Sequence, residues 1–171
     1  MAVIYAYFDY KIQEEQNPSL ILSILFRQLL LHLPCLPAEI EKHYEKFILY
    51  GSRPDYNTFL ELFGRVGSQF SSVFVLFDAF DECTPNYQRA IYSLIQQFTL
   101  LSYNVMVTSR PHLEILQALS SMAIQLEIKA NDDDVSKYLA FRLRQQNHIS
   151  NGLQEKILNE LCYGAMGMYI P

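Results

Sequence analysis

The sequence predicts an α/β fold, a parallel sheet with helices on both faces. Three observations carry that reading. β-branched and aromatic runs alternate with segments of helical apolar spacing along the 171 residues, the pattern of strand–helix–strand units. Val73 to Phe77 is a continuous apolar run, which reads as a strand buried on both faces. That run ends on Asp78, followed after two spacers by Asp81-Glu82. It thus delivers carboxylates to the strand end where open parallel sheets place their ligand crevice.

The bulk properties narrow the class. A chain of 171 residues is long enough for one domain with a sizeable core. At 50% hydrophobic and 18% charged residues it is apolar for a globular chain and unlike a disordered one. A net charge of -5 and a pI near 5.3 argue against a nucleic-acid surface. The longest apolar stretch, Leu20 to Leu33, is interrupted by Arg27, Gln28 and His32, too short to span a bilayer. The opening MAVIYAYFDY has neither the positive flank nor the cleavage site of a signal peptide. Cys35, Cys83 and Cys162 form no ligand spacing and no even disulfide set, which fits a reducing compartment.

The elements follow in order. Val3 to Phe8 is β-branched and aromatic and reads as a strand. A strand this near the first residue leads to the expectation of further sequence upstream. Asn17-Pro18-Ser19 starts a helix, with a capping side chain and a proline suited to the first turn. Leu20, Ile21, Ile24, Leu25 and Leu29 follow at helical spacing. Pro34 and Pro37 end it and open the next helix, Glu39 to Leu49, with Ile40, Tyr44, Phe47 and Ile48 on one face. After a loop at 51–55, Tyr56 to Phe70 is a helix with Phe59, Leu60, Phe63 and Val66 inward, weakened at its end by Gly64 and Gly67. Beyond the central strand, Thr84-Pro85-Asn86 starts a helix whose stripe is Ile91, Leu94, Ile95 and Phe98. Tyr103 to Thr108 is a strand that stops at Ser109-Arg110-Pro111, since proline cannot continue the ladder. Leu113 to Leu119 is a short helix, and Ala123 to Ile128 alternates as a fourth strand. Asn131 to Asp134 caps a helix and loads its first turn with negative charge, and Val135, Tyr138, Leu139 and Leu143 face inward. Ser150 starts a last helix through Leu161.

A buried strand that hands a carboxylate to its sheet edge is the physical recipe of a Walker B element. The first acid, Asp78, would hold the magnesium ion of a nucleoside triphosphate, and a later acid would polarise the attacking water. Alternatively Asp78 simply begins an acidic turn after a core strand. Elsewhere the chemistry is sparse. His32, His43, His112 and His148 are dispersed, and neither Ser109 nor Cys83 sits in a nucleophile elbow. Asp132 to Asp134 fits a helix start better than a cation site.

Taken together, VFVLFDAFDEC at 73–83, VMVTSRP at 105–111 and LEIKANDDDVSKYL at 126–139 resemble the NACHT nucleotide-binding domain of STAND-type P-loop NTPases. They are similar in particular to the fungal proteins with a nephrocystin-3-like N-terminal module. The opening strand with NPSLILSILFRQLL and the closing GAMGMYI extend the resemblance over nearly the whole chain. It implies a three-layer P-loop NTPase-like domain. Its parallel sheet would hold the first three strands side by side in chain order and lack the family's first strand and P-loop. Residues 1–129 would be a partial nucleotide-binding core and 130–171 the start of the helical part. By the same resemblance Asp78 is the magnesium-associated Walker B acid, Asp81 and Glu82 are the following acidic pair, and Arg110 is the sensor arginine that feels the γ-phosphate. A fixed guanidinium near transferring phosphate stabilises developing charge. The competing reading of Arg110 is an arginine paired with Asp81 or Glu82.

The chain departs from the family at one decisive place. A P-loop needs GxxxxGK[ST], whose backbone N–H groups cradle phosphates. None of the six glycines here precedes a lysine. In the family the loop precedes the segment matched by Val3 to Phe8, so it would lie before Met1. The expected function is therefore a truncated NACHT switch of a cytoplasmic STAND signalling protein. It keeps the Walker B and sensor elements but does not bind or hydrolyse ATP alone. Mg2+ with ATP or ADP belongs to the intact family domain. Two alternatives stand beside it. One is a non-enzymatic module that binds full-length relatives or itself. The other is a metal-dependent phosphohydrolase built on Asp78, Asp81 and Glu82.

Overall fold

The computed structural model describes residues 1–51, 55–128, 131–145 and 150–165. The chain divides into two compact units, Met1–Ala123 and Ile124–Pro171. The first is built on a three-stranded parallel sheet of β1 (Ala2–Tyr7), β2 (Val73–Asp78) and β3 (Asn104–Val107), in the order β1-β2-β3. The register aligns Ala2 with Val73 and Tyr7 with Asp78, then Phe74 with Asn104 and Phe77 with Val107. Mixed α/β architecture with parallel strands, expected from the alternation of elements, is what the chain adopts.

Helices α1 (Pro18–Leu31), α2 (Ala38–Tyr50) and α3 (Tyr56–Gly67) connect β1 to β2, and α4 (Pro85–Leu100) connects β2 to β3. A crossover of this kind is what parallel neighbours require. The Asn17 side chain accepts from the Leu20 N–H at 3.0 Å, and Asp55 caps α3 through the Thr58 N–H at 2.8 Å. Gly51 closes α2 at a φ of 65°, a left-handed turn that a Cβ disfavours. After β3 comes α5 (Leu113–Leu119), with Ile115 buried.

One continuous core lies on one face of the sheet. Ala2, Ile4, Ala6 and Phe8 join Val73, Val75 and Phe77 beneath Leu25 and Leu29 of α1, Phe63 of α3, and Ile91, Leu94 and Phe98 of α4. The aromatic rings interlock: Phe63 on Phe98 at 5.1 Å, Phe77 on Phe98 at 6.4 Å, and Phe98 on Tyr103 at 5.7 Å. Rings paired at such distances add to simple burial.

Three expectations need correction. The run Val73 to Phe77 is not buried on both faces. Val73, Val75 and Phe77 are enclosed, while Phe74 is 41% exposed and Leu76 half-buried. Val3, Tyr5, Tyr7 and Met106 share that open side of the pleat and are exposed. The enclosed residues of β1 and β2 thus share one face of the sheet and the open ones the other. An unbroken apolar run carries no period-2 signal, so it cannot distinguish one covered face from two. Second, Ala123 to Ile128 forms no strand. Ile124, Leu126 and Ile128 project into solvent, and the segment takes no place in the ladder. Its alternation is real, but alternation specifies a strand only where a partner edge and a core receive it. Third, Tyr44 and Ile48 of α2 are exposed, and among its residues only Ile40 is buried.

On β1, Gln28 of α1 mimics a neighbouring strand: its Oε1 accepts from the Tyr5 N–H and its Nε2 donates to the Tyr5 carbonyl, both at 2.8 Å. The Gln16 Nε2 donates to the Tyr7 carbonyl at 2.7 Å. Side chains thus blunt this edge against further pairing.

In the second unit, α6 (Asp132–Arg144) packs with α7 (Asn151–Ala165), with Val135 and Leu139 buried. Asn131 caps α6 by accepting from the Asp133 N–H at 3.0 Å, as the Asn-Asp run predicts. The closing stretch from Met166 onward lies outside the described residues.

Candidate functional site

The site assembles where β2 and β3 end. Asp78 is the last residue of β2, on the open side of the pleat, aligned with Tyr7. Continuing the β2–β3 register by one step sets Thr108 beside it. The Thr108 hydroxyl donates to Asp78 Oδ1 and accepts from the Ala79 N–H at 3.0 Å. The Thr108 N–H and carbonyl are also used, on the Phe77 carbonyl and the Phe80 N–H, both at 2.9 Å. The exit of β3 is therefore stitched to the exit of β2 by main chain and side chain together.

Beyond Asp78 the chain turns sharply. Ala79 sits at φ 53° and ψ 45°, a left-handed conformation that costs a residue with a Cβ about 1–2 kcal/mol. The single turn Phe80–Glu82 follows. Phe80 anchors it: the ring is fully buried, edge-on to Phe8 at 5.5 Å and to Tyr92 at 5.1 Å. The aromatic plug fixes the turn, and the turn fixes the directions of Asp81 and Glu82.

Both acids meet Arg110. The Arg110 Nε lies 3.1 Å from Asp81 Oδ2, and the Arg110 main-chain N–H donates to Asp81 Oδ1 at 3.0 Å. The Arg110 Nη2 donates to Glu82 Oε1 at 3.1 Å, and Glu82 Oε2 accepts from the Tyr10 N–H at 3.1 Å. Gln13 adds a bond from its Nε2 to the Glu82 carbonyl at 2.8 Å. The Asp81 and Glu82 side chains are only 6% and 16% exposed, against 72% for Arg110. Arg110 lies over the acids like a lid on two shielded carboxylates. Its fork makes this possible, since a guanidinium presents several N–H donors in a rigid plane.

All four residues singled out by sequence therefore gather at one end of the sheet. Their partners are those of the competing reading of Arg110, an arginine paired with the acids. Arg110 binds the acidic pair: Asp81 Oδ1, Glu82 Oε1 and Glu82 Oε2 accept hydrogen bonds, and Asp81 Oδ2 is ion-paired with Arg110 Nε. Asp78 accepts through Oδ1 alone among the described residues. Thr108 and Tyr10 are the residues the sequence reading missed. Thr108 lay within the VMVTSRP motif, and only the strand register shows that it abuts Asp78.

Asp78 offers one free carboxylate oxygen, and Mg2+ needs near-octahedral oxygen coordination completed by substrate phosphates. No GxxxxGK[ST] occurs in the 171 residues. Among the described residues no three His, Cys, Asp or Glu side chains gather to hold a metal ion. By themselves these residues do not fit a magnesium nucleotide. Next to the site, Cys83 is buried, and burial pushes its thiol up to about 11, the opposite of an activated nucleophile.

Residues 1–110 match the family model of the nephrocystin 3 N-terminal domain. No curated protein matches the chain. The family match covers β1 through β3 and ends on Arg110, so it takes in every residue of the site just described. On a match of that extent, over more than half its length, the chain belongs to the nephrocystin 3 N-terminal family.

Proposed function

We propose that this chain is the Walker B and sensor portion of a NACHT-type nucleotide switch in a cytoplasmic STAND signalling protein. In that reading Asp78 is the magnesium-associated acid, Asp81 and Glu82 are the acidic pair, and Arg110 is the sensor. Residues 1–129 form a partial nucleotide-binding core and 130–171 begin the helical part. The observation that supports it most is the stitching of β2's exit to β3's through Thr108 and Arg110. A switch needs its acid and its sensor joined so that one reports on the other. ATP or ADP with Mg2+ would be the ligand of the intact domain. The residues present here do not hold or hydrolyse it alone, because phosphoryl transfer depends on a positioned phosphate.

The test is the coding sequence upstream of Met1, followed by the protein extended to include it. An in-frame GxxxxGK[ST] and Mg2+-dependent nucleotide binding that Asp78→Ala weakens are the expected results. An extended protein that binds Mg-ATP equally well with Asp78→Ala would overturn the assignment.

A second reading is a non-enzymatic module that pairs with a second copy of this domain. The apolar open sheet face of Val3, Tyr5, Tyr7, Phe74 and Met106 favours it, since large exposed apolar patches mark interaction surfaces. A monomer in sedimentation at tens of micromolar would count against it. For either reading, no helix among the described residues is long and apolar enough to cross a membrane.

A further inference from the structure

We propose that Arg110, Asp81, Glu82 and the turn after β1 form a latch that opens as one unit, and that its closed form withholds both acids from water chemistry. The inference rests on the reading of this site as a nucleotide switch and concerns how that switch is held off.

Consider the oxygens one by one. Asp81 Oδ1 takes the Arg110 N–H, and Asp81 Oδ2 is ion-paired with Arg110 Nε at 3.1 Å. Glu82 Oε1 takes Arg110 Nη2, and Glu82 Oε2 takes the Tyr10 N–H. A carboxylate that polarises a water needs a lone pair directed at that water. Here three of the four oxygens accept a charged or main-chain hydrogen bond, the fourth is ion-paired with Arg110 Nε, and both side chains are shielded from solvent, which leaves little room for a water. Charge-assisted bonds of this kind are the strong ones. The acids are thus bound to the residue that is expected to sense phosphate.

The same bonds join three segments far apart in sequence. Arg110 follows β3, Asp81 and Glu82 follow β2, and Tyr10 follows β1. Glu82 is the hinge of the arrangement, holding Arg110 with one oxygen and the 10–13 turn with the other, its carbonyl held in addition by Gln13. When the guanidinium leaves, Glu82 loses the contact that orients it, and its grip on Tyr10 weakens in the same step. Arg110 is exposed and can leave. The acids, held down by Phe80, cannot follow it.

Amide hydrogen exchange on the 171-residue chain tests this without any nucleotide. Arg110→Gln removes the guanidinium, which does not touch Tyr10. The latch predicts that the Tyr10 N–H loses protection by about tenfold, the scale of one charge-assisted hydrogen bond. Core amides such as those of Val75 and Ile95 should keep theirs. Tyr10 protection unchanged in Arg110→Gln overturns the proposal. Should that variant unfold, Glu82→Gln asks the question from the other side. The Arg110 N–H, which contacts only Asp81, should then lose protection, and unchanged exchange there overturns the proposal equally. Because the readout is exchange in the free chain, a failure of the nucleotide reading shows in binding and leaves this result standing.

Discussion

Gly67→Ala should destabilise this domain strongly, and the structure gives the size of the effect. Gly67 is the last residue of α3. A Cβ built there would stand 1.8 Å from the Tyr103 Oη, 2.5 Å from its Cζ and 2.8 Å from its Cε1. The ring has nowhere cheap to go. It stacks on Phe98 at 5.7 Å, and its hydroxyl donates to the Phe63 carbonyl at 2.6 Å. Forcing extra volume into such a contact costs about 1–3 kcal/mol, and the displaced hydrogen bond adds about 0.5–1.5 kcal/mol. A combined loss of about 2–4 kcal/mol is a large part of the roughly 5–15 kcal/mol that a domain has. Tyr103 also leads directly into β3, so its displacement should loosen Thr108 and Arg110. Urea unfolding gives the free energy. Tyr103→Leu in the same background, which removes the ring, should recover part of the loss relative to its own single variant. A Gly67→Ala protein within about 0.5 kcal/mol of the parent, the range of neutral surface changes, would refute the packing argument.

The remaining predictions concern the edge, the site and pH. Gln28→Leu strips the Tyr5 N–H and carbonyl of their partners. It should cost about 0.5–1.5 kcal/mol in urea unfolding and increase self-association in sedimentation, because the β1 edge is then open. Thr108→Val keeps the side chain's shape but abandons Asp78 and the Ala79 N–H. A loss of about 1–3 kcal/mol is expected, with Thr108→Ser close to the parent, and a neutral Thr108→Val would contradict the stitching of the two strand ends. Alkaline pH should destabilise the fold. Burial pushes the Cys83 thiol from 9.0 up to about 11 and the Tyr103 hydroxyl from 10.0 up to about 12. Both favour the neutral form when folded, so their stabilisation is whole below the unfolded values and is lost as pH rises, between 9.0 and about 11 for Cys83 and between 10.0 and about 12 for Tyr103. In reducing buffer, Cys83→Ala should delay the onset of that decline towards pH 10, and an identical decline from pH 9 in both proteins would contradict the assignment.

Much of this was legible in the residues because it rested on local chemistry. Asn17 can cap and Pro18 suits a first helical turn, and Val3 to Phe8 and Val73 to Phe77 are rich in β-branched and aromatic residues. Asp78, Asp81, Glu82 and Arg110 stood out through a motif resemblance, and chain topology alone brings them to one end of a parallel sheet. What stayed hidden depends on neighbours. Ile124, Leu126 and Ile128 have a strand's alternation and nothing to pair with. Tyr44 and Ile48 lie on the apolar side of α2, but periodicity shows which side is apolar, not whether anything covers it. Thr108 acquires a role only through register, and the clash that makes Gly67 a glycine comes from a tyrosine 36 positions later. The pairing of Arg110 with both acids was one of two open readings, and deciding it needed the turn geometry set by Ala79 and Phe80.

The central claim is that these residues carry an acid and a sensor without the cradle that holds a triphosphate. In such sites affinity comes largely from loop N–H groups and the helix dipole behind them. The most direct measurement is titration of the 171-residue chain with a fluorescent ATP analogue in the presence of Mg2+. The account predicts no tight, saturable binding and no difference between the parent and Asp78→Ala. Tight saturable binding by this chain, abolished in Asp78→Ala, would contradict it.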